Sequence, residues 1–286
     1  MTGTGRPPGD AIRPAPPAPG PRWEVGGRPL SSYLAEAVGS AWLVLVALTA
    51  ISFTMRDGSA LASWPLTARL AVVGASVGGS VALFSITPAG KESGGHLNPA
   101  VSLFMAVRGV LPVRDLFPYA AAQLGGSVLG VLVARAVWGG RVGAVHDGLI
   151  QPGSGWGATE VFCGEALSTA VLLWVLAGMT ARPRPYSTPW VVAAVIAVLI
   201  TATGARTGAS FNPARNFGPH VVTGDYHLFW AYMLAPLAGA LLAAAVLAPL
   251  GTRRPWTGKL CCERDVHRYH QLQLHFRHHH LPSSSR

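Results

Sequence analysis

The stretch "GASFNPARNFGP", from Gly208 to Pro219, decides how this chain folds, because it repeats a polar tripeptide inside an apolar sequence. Its core, Asn212-Pro213-Ala214, occurs once before, as Asn98-Pro99-Ala100 in "SGGHLNPAVSLF", 114 residues earlier. An arginine, Arg215, follows only the second copy. An apolar chain that carries the same polar tripeptide twice is typical of an internal repeat.

The sequence around the two tripeptides is that of a membrane protein. Half of the 286 residues are apolar and 12% are charged, whereas a soluble domain carries about 25% charged residues. Six segments contain no Asp, Glu, Lys or Arg, and most approach or exceed the roughly 20 residues that cross a bilayer. They are Ala37–Met55, Leu70–Gly90, Leu116–Ala134, Ala166–Ala181, Pro185–Ala205 and Leu228–Thr252. The fourth is short, but it becomes a span if Glu160 and Glu165 lie within its helix. The pattern predicts an all-α membrane protein with about six transmembrane helices.

The basic residues predict which ends of the helices face the cytoplasm. The net charge is +10, but the cations alternate between connectors instead of forming one patch for nucleic acid. The cations assigned to the cytoplasm are Arg22, Arg28, Arg108, Arg114, Arg182, Arg184, Arg253, Arg254 and Lys259. By the positive-inside rule, both termini are predicted to be cytoplasmic and the protein to be a multi-pass protein of the cell membrane.

Composition predicts three regions along the chain. Residues 1–29 are rich in Pro and Gly and are predicted to be a disordered cytoplasmic leader. Residues 30–252 form the predicted channel domain, with one repeat at 30–138 and a second at 158–252. Residues 253–286 are predicted to be a basic, His-rich cytoplasmic tail, where a solvated segment is favoured over a metal site.

The two halves of the chain read alike, as helix, helix, short Asn-Pro-Ala segment and helix. Glu36 precedes the first copy and Glu165 the second. Three spans per half is an odd number, so the second half enters the membrane from the opposite side, which is an inverted-topology repeat. The segment 98–107 would be about 15 Å long as a helix, half of the hydrocarbon thickness. Because Asn favours the N-cap and Pro the first helical position, each copy is predicted to begin a re-entrant half-helix.

Inverted half-helices place their N-termini together near the middle of the membrane, and this predicts the chemistry of the site. Two asparagine amides and two positive dipole ends then face one small volume. Amide donors hold water or a neutral hydroxylated solute, whereas the positive ends raise the energy of a cation or a hopping proton. The sequence therefore predicts a passage for neutral molecules, without a cofactor or a metal.

With these motifs identified, the chain resembles the major intrinsic protein family, the aquaporins and aquaglyceroporins, from about Leu30 to Leu250. The resemblance rests on "SGGHLNPAVS", "ASFNPARNFGP", the two glutamates and "YAAAQLGGSVLG" with Gln123. It implies a homotetramer in membrane lipid, with one pore per subunit and passive flow of water and neutral solutes. It also implies that Asn98 and Asn212 donate to the solute. Glu36 and Glu165 would support the re-entrant loops, and Gln123 is given a similar supporting role.

The resemblance further implies a narrowest point on the extracellular side, built from four positions. These positions are Arg215, directly after the second tripeptide; Ala209, three residues before Asn212; Ile200, twelve residues before it; and Gly78, twenty residues before Asn98. Gly79 is an equal alternative to Gly78, because the count from Asn98 crosses Pro88.

This constriction departs from the water-selective pattern, which has Phe on the second span and His on the fifth. It also departs from glycerol facilitators, which have Trp on the second span and Asp after the arginine, where this chain has Asn216. Small residues at these positions resemble the plant nodulin-like members. The hypothesis is a wide channel for water, glycerol, urea or metalloid hydroxides. A strictly water-selective aquaporin is the alternative.

Two other classes stay open at this stage. A secondary transporter would need ion ligands within the spans, and Glu36 and Glu165 are the only candidates. A junctional membrane protein without transport would have no use for Arg215 and both asparagines. An enzyme is disfavoured, because the predicted membrane part contains no nucleophile–base pair. His96 is a candidate for the cytoplasmic mouth, with a structural hydrogen bond in its loop favoured over a gating role.

Overall fold

The structure, a computed structural model, describes residues 24–25, 27–181, 186–248 and 257–261. Its first half contains β1 (Glu24–Val25), β2 (Arg28–Pro29), α1 (Leu30–Thr54), α2 (Leu66–Ile86), α3 (Pro88–Ser93), α4 (Pro99–Val107), α5 (Val113–Trp138) and α6 (Gly140–Gly143). A 3-10 turn at His146–Gly148 follows. The second half contains α7 (Ala158–Thr180), α8 (Thr188–Thr203), α9 (Pro213–Thr223) and α10 (Phe229–Leu247).

The long helices match the predicted spans. Within the described residues, α1, α2, α5, α7 and α10 are each long and apolar enough to cross a membrane. The sixth, α8, is apolar but has 16 residues, which makes it about 24 Å long. Helix α7 includes both Glu160 and Glu165, as the span prediction required. The all-α architecture with two half-helices is confirmed.

Close helix pairs build the bundle, and the two halves use equivalent pairs. Helix α1 packs along α5, helix α7 packs along α10, and α2 crosses α8. A Cβ atom added at Gly126 would lie 2.1 Å from the Ala37 carbonyl oxygen, and one at Gly239 would lie 2.2 Å from the Ala166 oxygen. Backbones this close are typical of helix pairs in membranes, where small residues replace the hydrophobic effect as the basis of packing.

The half-helices α4 and α9 tie the two repeats together. Helix α9 packs mainly against α5 of the first half, and α4 packs mainly against α10 of the second half. Each half-helix begins at Pro and has Asn as its N-cap, so both start where the tripeptides predicted. Their opposed directions bring the two asparagines to the same level of the bundle.

Two short segments differ from the predicted disorder of the chain ends. The predicted leader extended to residue 29, but β1 and β2 form an antiparallel pair in which Val25 is opposite Arg28. The strand pair lies over the end of α3, where Arg28 Nη1 donates to the Ser93 carbonyl oxygen at 3.2 Å. Residues 257–261 pack against the bundle instead of standing in solvent. The remainder of the leader, the cations at 182–184 and 253–254, and the histidines at 267–280 lie outside the described residues.

Candidate functional site

The two asparagines cap their half-helices with the same hydrogen bond. Asn98 Oδ1 accepts from the backbone N–H of Ala100 at 2.8 Å. Asn212 Oδ1 accepts from Ala214 N–H at 2.9 Å and from Arg215 N–H at 3.4 Å. Because the Oδ1 atoms satisfy helix N–H groups, the amide nitrogens are directed away from the helix axes.

The amide nitrogens join the two repeats across the centre of the bundle. Asn98 Nδ2 donates to the Phe211 carbonyl oxygen at 2.9 Å, and Asn212 Nδ2 donates to the Leu97 carbonyl oxygen at 2.8 Å. A carboxamide nitrogen has two hydrogens, so each asparagine keeps a second one. Both residues line one cavity, which leaves these hydrogens as donors to whatever occupies it.

The residues before the asparagines adopt a backbone conformation that is unusual for bulky side chains. Leu97 has φ 51° and Phe211 has φ 38°. Such left-handed positions cost about 1–2 kcal/mol for residues other than Gly. The equivalent strain in both loops turns two carbonyl oxygens toward the opposite repeat, where the asparagine amides bind them.

Two buried carboxylates hold these loops in place. Glu36 accepts from His96 N–H at 3.0 Å and from Leu97 N–H at 2.7 Å. Glu165 accepts from Ser210 N–H at 3.1 Å and from Phe211 N–H at 2.6 Å. Both glutamates have no exposed surface and neither lines the cavity. Their geometry is that of loop anchors.

Gln123 and His96 extend the support of the first loop. Gln123 Nε2 donates to Glu36 Oε2 at 2.7 Å and to Ser102 Oγ at 3.0 Å. His96 Nδ1 lies 3.0 Å from the same Ser102 Oγ, and its Nε2 lies 2.6 Å from the Gly258 carbonyl oxygen. A carbonyl oxygen only accepts, so Nε2 carries the hydrogen and Nδ1 accepts from the serine hydroxyl.

The second loop has its own supports, which the sequence analysis missed. Asn216 Nδ2 donates to Ser210 Oγ. Tyr232 Oη donates to the Thr207 carbonyl oxygen at 2.8 Å. Asn216 is fully buried, and it stands one helical position after Arg215. The repeat provides a signal for its role, since Asn216 is 114 residues after Ser102, which supports the first loop.

Arg215 is fixed from the side by a connector between the two repeats. Its Nη1 donates to the Gly148 carbonyl oxygen at 2.8 Å. Arg135 binds the neighbouring Asp147 with two hydrogen bonds, from Nε at 2.6 Å and from Nη2 at 2.8 Å. No signal in the sequence points to Arg135, Asp147 or Gly148. Nothing in α5 or in the connector of 19 residues after it indicates which carbonyl oxygen reaches Arg215.

One cavity of about 300 Å³ runs past these groups. The two ends of the cavity are the His96 mouth and the Arg215 mouth, each with that side chain in its lining. In the part of the chain that the structure describes, the lining side chains of α1, α2, α7 and α8 are Leu, Ile, Val or Ala. Polar lining comes instead from the loops and half-helices: His96, Asn98, Gln151, Ser210, Asn212 and Arg215. The passage therefore has an aliphatic wall opposite a polar row.

Three of the four residues assigned to the constriction border this cavity. Ile200, Ala209 and Arg215 all line it, and Arg215 is 8% exposed. Ala209 has φ 54°, at the position equivalent to Gly95 in the first loop. Their role in selecting solutes stays a prediction.

Gly78, which was assigned to the constriction, does not line the cavity in the structure. Gly78 faces α8, where an added Cβ would lie 2.2 Å from the Ala193 carbonyl oxygen. The alternative, Gly79, has open space around it and does not line the cavity either. Helix α2 presents Leu70, Val73 and Val77 to the cavity. Glycine is present at 78 so that α2 and α8 can approach each other.

Among the described residues, no three His, Cys, Asp or Glu side chains form a group that could hold a metal ion. The chemistry available in the cavity is hydrogen bonding from amide and guanidinium groups next to aliphatic carbon.

Comparison with known proteins identifies a family and several relatives with similar sequences. The family described as "Major intrinsic protein" matches residues 27–247. The probable aquaporin TIP2-2 of Arabidopsis thaliana is 34% identical over 227 residues, which cover 76% of this chain and 86% of that protein. The probable aquaporin NIP7-1 of the same plant is 30% identical over 225 residues, or 77% of this chain and 76% of that protein.

A solved structure has the same fold. The aquaglyceroporin from Plasmodium falciparum superposes with a TM-score of 0.62 and 20% sequence identity. The match covers 77% of this chain and 98% of that chain. At this identity the likeness concerns the fold.

Proposed function

Because this chain belongs to the major intrinsic protein family, and is therefore a multi-pass membrane channel and not an enzyme, we propose that it passes small neutral solutes as well as water. The solutes that fit the proposal are glycerol, urea and metalloid hydroxides such as boric acid. The observation that carries the proposal is the aliphatic wall of the cavity. Val77 on α2 and Ile200 on α8 are on this wall, whereas the resemblance gives water-selective members a Phe on the second span and a His on the fifth.

The proposal follows from the two unlike sides of the passage. A polyol or a metalloid hydroxide exchanges its hydration shell for hydrogen bonds from Asn98, Asn212 and Arg215. Its remaining surface contacts aliphatic side chains, which cost it no hydrogen bond. Water gains nothing from the aliphatic side, so the wall favours solutes that carry hydroxyl or amide groups on a compact, partly apolar body.

Ions are disfavoured by the same site. The N-termini of α4 and α9 converge at the asparagines, so a cation meets two positive dipole ends. The guanidinium of Arg215 adds a positive charge inside the bundle. Glu36 and Glu165 offer no ligand to a passing ion, because their oxygens accept from loop N–H groups and neither carboxylate lines the cavity. This argues against a transporter that couples solute movement to Na⁺ or H⁺.

A strictly water-selective aquaporin is the second candidate function. It is favoured by the names of the two plant relatives, which are called probable aquaporins. The two candidates differ in what happens beside Arg215, where an aliphatic wall either admits larger solutes or excludes them by size alone.

We also propose a homotetramer in the cell membrane with both termini in the cytoplasm. Apolar side chains on the outside of the bundle support contact with lipid or with neighbouring subunits; Val38 is 60% exposed, Phe117 81% and Val198 65%. Arg108 follows the last residue of α4 and Arg114 lies in the first turn of α5, both on the side of the His96 mouth. By the positive-inside rule, that mouth is the cytoplasmic one.

The test is a set of permeability measurements on proteoliposomes that contain the full chain. Light scattering after an osmotic step reports water, glycerol, urea and boric acid separately, and arsenite uptake is measured directly. We expect water and at least one of these solutes to move faster than through empty vesicles, with no dependence on a Na⁺ or H⁺ gradient. Permeability to water alone would overturn the proposal in favour of the water-selective candidate.

A further inference from the structure

We infer that the His96 mouth is a binding site for the chain's own segment Thr257–Cys261, and that the bound segment closes the channel. This inference rests on the proposed conduction through the cavity and adds its regulation. The segment follows α10 after nine residues, and in the structure it lies against the first re-entrant loop and the connector after α4.

Two backbone hydrogen-bonding groups of the segment are bound by the mouth. The N–H of Leu260 donates to the Gly94 carbonyl oxygen at 3.0 Å. The Gly258 carbonyl oxygen accepts from His96 Nε2 at 2.6 Å. Gly94 and His96 belong to the loop that leads to Asn98, so the segment is attached directly to the loop that forms the site.

The fit of the segment requires glycine on both sides of the contact. A Cβ atom added at Gly258 would lie 2.6 Å from the Val110 carbonyl oxygen. A Cβ added at Gly94 would lie 2.9 Å from the Gly258 oxygen. The segment thus lies in a slot between Gly94 and Val110 that is one backbone wide.

Leu260 places the segment in the path of the solute. Its side chain is 3% exposed and lines the same cavity as His96 and Asn98. A solute that moves between Asn98 and the solution at this mouth has to pass the leucine. Cys261, 2% exposed, follows it into the protein interior.

The attachment of the segment to α10 makes docking within one subunit favourable. Nine residues between Leu247 and Thr257 reach at most about 30 Å when extended. A tether this short holds the segment near the mouth at an effective concentration in the millimolar range. Weak contacts are then sufficient to keep the mouth occupied, and modest changes are sufficient to release it.

The experiment compares full-length variants in proteoliposomes. Leu260→Asp places a charge in an apolar position, and Gly258→Val removes the room beside Val110. Both positions lie outside helices α1 to α10. We expect water permeability per channel to rise about fivefold or more in both variants, because the gain is set by the fraction of channels that the segment closes. Leu281→Asp, the same change elsewhere in the tail, is the matched control and should match the wild type.

Hydrogen exchange supplies a readout of docking itself. The Leu260 N–H should be protected in the wild type and in Leu281→Asp, and should exchange rapidly in Gly258→Val. Wild-type permeability equal to that of both variants would overturn the inference while the channel stands. If wild type and variants all match empty vesicles, the proposed conduction fails, and the inference fails with it.

Discussion

Arg215 donates a hydrogen bond to the Gly148 carbonyl oxygen at 2.8 Å, although Gly148 lies in the connector between the two repeats, 67 positions before Arg215. The turn that presents this carbonyl is held by Arg135, through two hydrogen bonds to Asp147. Arg135 is on α5 and does not line the cavity. The arginine assigned to the constriction is therefore positioned by a second arginine outside the passage.

This relationship predicts that Arg135→Gln loosens Arg215 without unfolding the protein. The Arg135 side chain is 44% exposed, and a pair of this exposure is worth about 0.5–1 kcal/mol. We expect the ratio of glycerol to water permeability to rise by about two- to fivefold, as such an energy allows. The reason is that the Arg215 guanidinium, no longer held through the turn, leaves the path more often. Stopped-flow light scattering on proteoliposomes measures the ratio. Arg141→Gln is the control, since Arg141 lies 5.1 Å above the Phe53 ring and holds no part of the turn; equal ratios in the two variants would contradict the prediction.

The two adjacent glycines on α2 predict opposite outcomes for the same substitution. Gly78→Ala should lower the free energy of unfolding by about 1–3 kcal/mol, because the new methyl group meets the Ala193 carbonyl. Gly79→Ala has open space, and it should be neutral or stabilise by up to about 1 kcal/mol through the helix propensity of alanine. Thermal unfolding in detergent distinguishes them. Similar melting temperatures for both variants would show that α2 and α8 are not in close contact.

Val77, and not Gly78, is predicted to control the width of the passage from α2. Val77→Phe should lower glycerol and boric acid permeability by about tenfold, a barrier of about 1.4 kcal/mol, while water permeability falls less. Leu83→Phe carries an added ring on the same helix, at a position that is 49% exposed on the outside of the bundle. It should leave all permeabilities unchanged. An unchanged solute profile in Val77→Phe would remove Val77 from the path.

Replacing Glu165, the carboxylate that anchors the second loop, is expected to lower both the stability of the protein and its conduction. Glu165→Gln replaces an acceptor-only group by an amide whose NH₂ faces the N–H of Ser210 or Phe211. One buried donor is then unmatched, which costs about 1–3 kcal/mol. Glu160→Gln on the same helix is the control, because Glu160 is exposed and accepts from the Gly157 N–H at 3.1 Å, outside the second loop. We expect a lower melting temperature and a lower water permeability for Glu165→Gln alone; equal behaviour of the two variants would argue against an anchoring role.

Local signals explain why the half-helices could be predicted so closely. An asparagine before a proline specifies an N-cap and the first helical turn within three residues, whatever the remainder of the chain does. The charge-free segments and the doubled tripeptide are equally local, and they predicted the bundle and its inverted repeat. The repeat also led to Glu36 and Glu165, because equivalent positions in the two halves have the same surroundings.

Counting along the chain failed at Gly78 for an equally specific reason. The count from Asn98 crosses α3, a short helix at Pro88–Ser93 that the sequence analysis did not predict. Each helical residue turns the chain by 100°, so an error of one position moves a side chain from the cavity to a neighbouring helix. Counting identifies the helix that forms a wall, but not the face of that helix.

By itself, the sequence determined that this chain spans a membrane as an inverted repeat, that two capped half-helices meet at Asn98 and Asn212, and that Arg215 marks one end of the passage. Only the tertiary structure decided which residues of α2 face the cavity, which connector carbonyl binds Arg215, and that Leu260 enters the His96 mouth. The first group depends on caps, charges and apolar lengths, which act over a few residues. The second depends on backbones that approach each other from distant parts of the chain, and local preferences carry no information about those approaches.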